Sequence, residues 1–211
     1  MTMHDIKNDA ANDAVIAVPE TPGPGGAYAE VIGDPIIQSK SPTIHGFWLE
    51  KLGMAGSYRR CHVLPHQLGE YFARRADDPD WRGCNVTKPH KVAVLDHVTD
   101  PGNVRDSIGA ANTILRSPDG VISATNTDAG GFYSPLATVP LAGRPVVIIG
   151  AGGAARAVLF ALAQMDVGPV TILNRNVLKA SALLASYGLK GQALGLDARL
   201  PAASLLVNCS A

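Results

Sequence analysis

RPVVIIGAGGAARAVLFALAQ, residues 144–164, decides the fold of the C-terminal half of this chain. Its apolar run predicts a buried strand, its glycines predict a tight turn, and its alanine-rich end predicts a helix. The segment PVTILNR at residues 169–175 predicts a second strand, and a second helix is expected over residues 176–187. Strands that alternate with helices in this way indicate an α/β fold with a mostly parallel sheet.

The glycine turn follows the pattern G-x-G-x-x-G except at its last position, which is Ala155. In this pattern the first glycine makes the turn and the second lets the backbone approach a pyrophosphate. The helix that follows offers free N–H groups and a partial positive charge to the phosphates. A glycine turn without a ligand is the alternative, but the flanking strands favour a dinucleotide site at Gly150, Ala151, Gly152, Gly153 and Ala154.

The end of the second strand indicates which dinucleotide is bound. NAD sites usually carry Asp or Glu there for the ribose 2′-hydroxyl, whereas this chain has Asn174 and Arg175, with Lys179 one helical turn further. A guanidinium matches a phosphate with a bidentate fork. The sequence therefore favours NADP, the alternative being that Arg175 is only an exposed charge at the end of a strand.

Composition excludes several other classes of protein. The 211 residues are 46% hydrophobic, and 18 basic residues balance 18 acidic ones, so the chain lacks the charge expected of a nucleic-acid or membrane-surface binder. Three cysteines are too few for a disulfide framework and indicate reduced thiols in a cytoplasmic protein. We expect no metal at Cys61, His62 and His66, because Pro65 breaks the helix that would align them.

The N-terminal half reads as a separate α/β unit. Residues 1–26 form a polar, Pro- and Gly-rich leader that we expect to be disordered. Strands are predicted at 27–33, 57–63 and 83–86, a hairpin across 107–128, and helices at 41–52, 65–75, 87–97 and 128–138. Ser41 is the expected cap of the first helix, whose apolar stripe is Ile44, Phe47, Trp48 and Leu52.

Polar residues gather where these strands end. They form four stretches, at residues 38–42, 85–91, 110–113 and 126–128. Three of the four follow a strand, so they can converge at the carboxyl edge of an open sheet, where ligands bind. Hydroxyls, amides, a lysine and an aspartate suit a small, polyhydroxylated anion. Ser39 and Ser41 could bind its carboxylate beside a helix N-terminus, although capping explains Ser41 equally well.

Six motifs occur in the order in which they stand in shikimate dehydrogenases, which this chain resembles from about residue 27 to its end. They are VIGDPIIQSKSPTIH, GCNVTKPHK, IGAANTI, NTDAGGF, IGAGGAARA and the NR before a helix. The resemblance implies a shikimate-binding α/β domain over residues 27–127 and a Rossmann NADP domain over residues 128–211. It implies reversible NADPH-dependent reduction of 3-dehydroshikimate to shikimate, in the chorismate route to aromatic amino acids.

The resemblance also implies a role for each motif residue. By this resemblance, Ser39 and Ser41 hold the substrate carboxylate, and the ring hydroxyls are contacted by Thr87, Asn112 and Asp128. The resemblance makes Lys91 and Asp128 the catalytic pair. In the second domain it implies that the glycine turn binds pyrophosphate and that the 2′-phosphate is bound by Asn174, Arg175 and Lys179. Asn176 stands where the family commonly has threonine or serine, and its amide can still donate to phosphate. An unperturbed histidine titrates near neutrality, which makes His90 a tempting general acid, but we expect His90 to be structural and Lys88 to be solvated.

The family continues beyond the point where this sequence stops. Its further strands and its C-terminal helix, which carries a glutamine that contacts substrate, have no counterpart before Ala211. We therefore expect an incomplete Rossmann domain with an unpaired sheet edge, and a weakly stable or aggregation-prone chain. A quinate/shikimate dehydrogenase and a non-catalytic truncated paralogue that binds shikimate are the alternatives, and a homodimer is possible.

Overall fold

The computed structural model describes residues 26–210, so the predicted disordered leader falls almost wholly outside the described residues. The strands are β1 (Tyr28–Gly33), β2 (Ser57–His62), β3 (Trp81–Val86), β4 (Thr113–Arg116), β5 (Ile122–Thr125), β6 (Val146–Ile149), β7 (Val170–Leu173), β8 (Gly191–Leu194) and β9 (Leu205–Asn208). The helices are α1 (Ser41–Lys51), α2 (Leu68–Ala76), α3 (Val104–Ser107), α4 (Asp128–Tyr133), α5 (Gly153–Ala163) and α6 (Val177–Ser186). Short 3-10 turns lie at Pro65–Gln67, Ala93–Asp96 and Ser134–Leu136.

The first sheet has the strand order β2-β1-β3-β4-β5. β1 pairs in parallel with β2 and β3, whereas β4 pairs antiparallel with both β3 and β5. The predicted hairpin is thus confirmed, and Gly120 turns it with a φ of 88° that favours glycine. Trp81, Tyr71 and Ile32 are fully buried members of the core beneath this sheet.

The second sheet has the order β8-β7-β6-β9, and all its pairings are parallel. α5 and α6 cover it with small and branched side chains, including Leu159, Leu162 and Leu184. The expected α/β class with a Rossmann-like second unit is confirmed. β8 is absent from the sequence prediction because GQAL has no apolar run to mark it.

An ion pair is buried in the first core. Glu30 on β1 and Arg75 on α2 are both fully buried, and Arg75 Nε donates to Glu30 Oε2 at 2.9 Å. Tyr71 donates its hydroxyl to the same oxygen at 2.8 Å. A buried charge requires such partners, because an unpaired one would lose its hydration without compensation. The pair therefore fixes how α2 sits on the sheet.

The apolar stripe of α1 is not a core face among residues 26–210. Ile44, Phe47, Trp48 and Leu52 are 47%, 54%, 51% and 70% exposed. α1 contacts β2, which is the edge strand of its sheet, and no element of the described chain covers the stripe. The four apolar residues recur at helical spacing as predicted, but they form an exposed stripe, and α1 has no buried residue.

Two local predictions also need correction. Ser41 is the first residue of α1 rather than its cap, and its N–H donates to the Ser39 hydroxyl at 3.3 Å. No helix runs from Thr87 to His97; turns and the short 3-10 segment Ala93–Asp96 replace it, with a cis Lys88–Pro89 bond. The carbonyl of Lys91 accepts from Ala111 N–H at 2.7 Å, so it is used outside any helix.

Replacing Glu30 by Ala should lower the free energy of unfolding by about 3–5 kcal/mol, because Arg75 would remain buried without its carboxylate. Glu70→Ala is the control, since the Glu70–Arg74 pair is solvent-exposed and such pairs contribute about 0–1 kcal/mol. Urea unfolding followed by circular dichroism measures both. Equal losses in the two variants would contradict the assignment of Glu30–Arg75 as the structural pair.

Candidate active site

Lys91 and Asp128 form an ion pair between the two sheets. Lys91 Nζ donates to Asp128 Oδ2 at 2.5 Å, and the side chains are 17% and 33% exposed. Lys91 follows β3 and Asp128 is the first residue of α4. A half-buried ammonium held by a carboxylate is a group that can give and take a proton while staying oriented.

The segment after β3 is anchored on both sides. Thr87 N–H donates to Ile32 O at 2.9 Å, and Lys88 O accepts from Asp34 N–H at 3.0 Å. Gly33 leaves the room that Thr87 needs, because a Cβ there would lie 2.4 Å from Thr87 Cγ2. With Lys91 O bound to Ala111, the lysine backbone is fixed from β1 and from the stretch before β4.

Asn112 joins the pair to its surroundings. Its Nδ2 donates to Asp128 Oδ1 at 2.7 Å and to Thr127 Oγ1 at 2.9 Å. Its Oδ1 accepts from Thr127 N–H at 2.9 Å. Asn112 is buried, so these bonds are made away from bulk water, where losing a partner is costly. Lys91, Asn112 and Asp128, predicted separately, are brought together.

Asn126 is a positioning residue that the sequence reasoning missed. Its Oδ1 accepts from the N–H groups of Asp128 at 2.9 Å and Ala129 at 3.2 Å, and its Nδ2 donates to Ala110 O at 2.6 Å. It therefore caps α4 and ties that helix to the stretch carrying Asn112. An asparagine two residues before a helix start is a known capping signal that could have identified it.

Ser39 and Ser41 lie at the same carboxyl edge of the first sheet, after β1. Ser39 Oγ donates to Ser41 Oγ at 3.2 Å, so the two hydroxyls are adjacent. Arg60 in β2 donates from Nε to Ser39 O at 2.9 Å and holds that turn. Both serines are half-buried.

The three glycines of the turn have different surroundings. Gly150 has a φ of 101°, and its Cα faces the backbone of Cys209 and Ser210 at the end of β9. A Cβ at Gly152 would meet nothing within 4 Å, so this side of the turn is open. A Cβ at Gly153 would lie 2.8 Å from Lys91 Cβ. The turn thus presents open backbone at Gly152 and touches the lysine at Gly153.

The residues expected at the 2′-phosphate lie at the end of β7 and the start of α6. Asn176 caps α6, since its Oδ1 accepts from Lys179 N–H at 2.9 Å, and Asn174 Nδ2 donates to Asn176 O at 2.8 Å. Arg175 and Lys179 are exposed. The structure therefore leaves both cations accessible to an anion, while Asn176 uses its oxygen locally and keeps its amide group as a donor.

Two other titratable groups lie near the cluster. His90 is 1% exposed, its Nε2 is 2.6 Å from Val63 O, and burial lowers its pKa, which fits a structural rather than a catalytic residue. Burial, followed by the charge of Asp128, raises the pKa of the Cys209 thiol to about 11. No group of three or more His, Cys, Asp and Glu in residues 26–210 could hold a metal ion.

The fold and site define a class of protein: a two-sheet α/β enzyme with a Rossmann-type glycine turn opposite a lysine–aspartate pair. A family profile for the shikimate dehydrogenase substrate binding domain matches residues 31–114. A second profile, shikimate / quinate 5-dehydrogenase, matches residues 136–207. The chain belongs to the shikimate dehydrogenase family.

Curated relatives agree with this membership. Shikimate dehydrogenase (NADP(+)) of Sphingopyxis alaskensis is 64% identical over 183 residues, which is 87% of this chain and 67% of that protein. The protein of the same name from Methylobacterium radiotolerans is 42% identical, with 85% of this chain and 67% of that protein covered. The chain thus spans about two thirds of the length of these relatives.

Solved structures show the same arrangement. Shikimate 5-dehydrogenase from Thermus thermophilus, in complex with NADP(H) and shikimate, matches with a TM-score of 0.73 and 35% identity, covering 87% of this chain and 68% of that chain. Ligand-free 5-ketofructose reductase of a Gluconobacter species matches with a TM-score of 0.73 and 31% identity, covering 89% of this chain and 70% of that chain.

None of the helices in the described part of the chain has the length and apolar content needed to span a membrane.

Asn112→Ala should lower the free energy of unfolding by about 1–3 kcal/mol, because the Thr127 N–H and the Asp128 carboxylate lose a buried partner. Asn174→Ala is the matched control, since that amide makes an exposed bond to Asn176 O. Thermal melts of both variants measure the difference. Indistinguishable melting temperatures would contradict the role of Asn112 as the link between Asp128 and β4.

Proposed function

We propose that this chain carries the catalytic and nucleotide-binding parts of an NADP-dependent shikimate dehydrogenase, which reduces 3-dehydroshikimate to shikimate reversibly. The observation that supports it most is the Lys91–Asp128 pair, which lies against the glycine turn through the contact of Lys91 with Gly153. In this proposal the Lys91 ammonium is the proton donor, and it acts beside the nucleotide turn. The names of the curated relatives and the bound ligands of the Thermus structure support the same activity.

The proposed chemistry assigns one task to each member of the pair. During reduction of a ketone, negative charge develops on the carbonyl oxygen, and the Lys91 ammonium stabilises that charge and delivers the proton. In the reverse direction the amine accepts the proton of the hydroxyl. Asp128 holds and aims the ammonium, because a charge-assisted hydrogen bond to its carboxylate fixes the position of Nζ. Such acid–base help contributes about 10²–10⁴ in rate.

The substrate is held by neutral polar groups at the same edge. The hydroxyls of Ser39 and Ser41 donate hydrogen bonds to the substrate carboxylate, since they are adjacent and lie at the N-terminus of α1, of which Ser41 is the first residue. Thr87 and Asn112 contact ring hydroxyls. In this proposal Asp128 binds one hydroxyl of the substrate in addition to Lys91 and Asn112.

The chain also carries groups that fit NADP. The open side of Gly152 and the N-terminus of the 11-residue helix α5 suit a pyrophosphate. Gly150, Ala151, Gly153 and Ala154 complete that turn. The 2′-phosphate would be bound by Asn174, Arg175, Asn176 and Lys179. A carboxylate at this position would instead repel the 2′-phosphate and favour NAD. When bound, NADPH supplies the hydride.

The proposal also covers the domain bounds, the cellular role, the assembly and the substrate range. The substrate domain extends over residues 27–127 and the nucleotide domain over residues 128–211, although α4 packs on α5 and also donates Asp128 to the site. The reaction serves aromatic amino-acid biosynthesis in the cytoplasm. A homodimer is a possible assembly. A quinate/shikimate dehydrogenase is the alternative, which the names of the curated relatives do not favour; initial rates on shikimate and on quinate separate the two.

Lys91→Ala should reduce kcat for shikimate oxidation by about 10²–10⁴, because proton transfer loses its donor and acceptor. Lys88→Ala is the matched control: it is a lysine three residues earlier that is exposed and should keep its rate. NADPH absorbance measures both. A Lys91→Ala enzyme that retains the parent rate would show that another group transfers the proton.

Arg175→Ala should raise KM for NADP by about tenfold and change KM for NAD little, because only NADP has the 2′-phosphate that a guanidinium binds. A tenfold change corresponds to a loss of about 1.4 kcal/mol of binding free energy. Initial rates at varied concentrations of each cofactor give both KM values. Arg144→Ala is the control, because Arg144 is an exposed arginine that precedes β6, at the edge of the second sheet opposite to Arg175. Equal changes for both cofactors would remove Arg175 from the site.

A further inference from the structure

We infer that Gly153 is a positioning residue for Lys91: its missing side chain sets the gap between the lysine stem and the nucleotide turn. This role differs from the usual one of a glycine in such a turn, which is to let the backbone approach a phosphate. The catalytic consequence rests on the proposed function, whereas the packing relation itself does not.

The contact is made through the lysine stem rather than its mobile end. A Cβ at Gly153 would lie 2.8 Å from Lys91 Cβ, 3.2 Å from Cδ and 3.4 Å from Cγ. A flexible side chain can rotate its far atoms away from an intruder, but its Cβ is fixed by the backbone. An alanine at 153 therefore requires the backbone of Lys91 or the start of α5 to shift.

Lys91 is held at both ends. Its carbonyl accepts from Ala111 N–H at 2.7 Å, and its Nζ binds Asp128 at 2.5 Å. A shift of the stem would stretch the ion pair or pull on the stretch that carries Asn112. Displacement of the lysine therefore transmits to the group that orients it.

α5 is docked along one face, which prevents it from backing away. Ala157 is fully buried in the core of the first sheet, and Phe160 packs against the same core. The Arg156 guanidinium lies close to Gly109 of the first domain, since a Cβ at Gly109 would lie 2.7 Å from Arg156 Nη1. Gly153, Arg156, Ala157 and Phe160 recur at helical spacing, so one stripe of α5 faces the first domain. The Tyr187 hydroxyl adds a bond of 2.6 Å to Ile108 O.

The other glycines of the turn act differently. Gly150 requires its positive φ and faces Cys209, whereas Gly152 has open space. Gly153 is the first residue of α5 and has no left-handed φ, so its backbone conformation would accept alanine. Alanine at a helix position normally stabilises relative to glycine. A loss at this position therefore reports the contact with Lys91.

A double-mutant cycle of melting temperatures tests the packing relation between Gly153 and Lys91 without an activity measurement. Gly153→Ala should lower the melting temperature of the chain, and the same change in a Lys91→Gly background should not, because the three contacting carbons are gone. Gly46→Ala in α1, where a Cβ would meet nothing within 4 Å, controls for glycine replacement in a helix. An equal fall in both backgrounds, or no fall in the parent, would overturn the inference.

Kinetics test the consequence for the reaction. Gly153→Ala should lower kcat by about tenfold to a hundredfold, since a misplacement of about 1 Å can cost that much, and it should change KM for NADP by less than threefold. Gly152→Ala should show the reverse pattern, with a raised KM for NADP. A Gly153→Ala chain with an unchanged kcat would overturn the positioning role. A parent chain without dehydrogenase activity would count against the proposed function alone, and the melting cycle would still decide the packing relation.

Discussion

The ion pair between Lys91 and Asp128 is the interaction on which the arrangement of the site depends. The lysine comes from the first sheet, and the aspartate begins the helix that packs against α5, so the 2.5 Å bond connects both halves of the chain. Asn112 and Asn126 hold the aspartate from the β4 side, and Ala111 holds the lysine backbone. Lys91, Asn112 and Asp128 are therefore placed relative to one another by one partly buried pair and its hydrogen bonds, which limited access of water strengthens.

The architecture explains why this pair can exist. In a parallel sheet the polar side chains that follow the strands meet at the carboxyl edge, where they can be hydrated or bind a ligand without entering the core. Glu30 is the contrasting case, because it lies within β1 and requires Arg75 and Tyr71 as dedicated partners. The chain thus contains one ion pair that stabilises the fold and another that is accessible to a substrate.

Local sequence patterns predicted a large part of this structure. The strand–glycine–helix segment and the hairpin at residues 107–128 follow from apolar runs and turn residues. The two domain types and the roles of Lys91, Asn112 and Asp128 were implied by the resemblance to a family, and the structure brings these three side chains together. The failures arose where distant residues decide. The stretch after Thr87 reads as a helix, but Ala111 takes the carbonyl of Lys91. The stripe of α1 has a helical period, which does not say what covers it. Asn126 carries a local capping signal that the sequence reasoning did not use. The contact of Gly153 with Lys91 depends on the approach of separate elements, which no local pattern encodes.

The exposed stripe of α1 has a spectroscopic consequence. The chain contains two tryptophans, Trp48 and Trp81. Trp48 lies in the stripe and is 51% exposed, whereas Trp81 is fully buried in the first core. Their indole rings therefore sense water to very different degrees, and the emission of the folded chain is the sum of a solvent-relaxed and a shielded fluorophore. Any molecule or segment that settles on α1 will change the first component and leave the second as an internal reference for the integrity of the core.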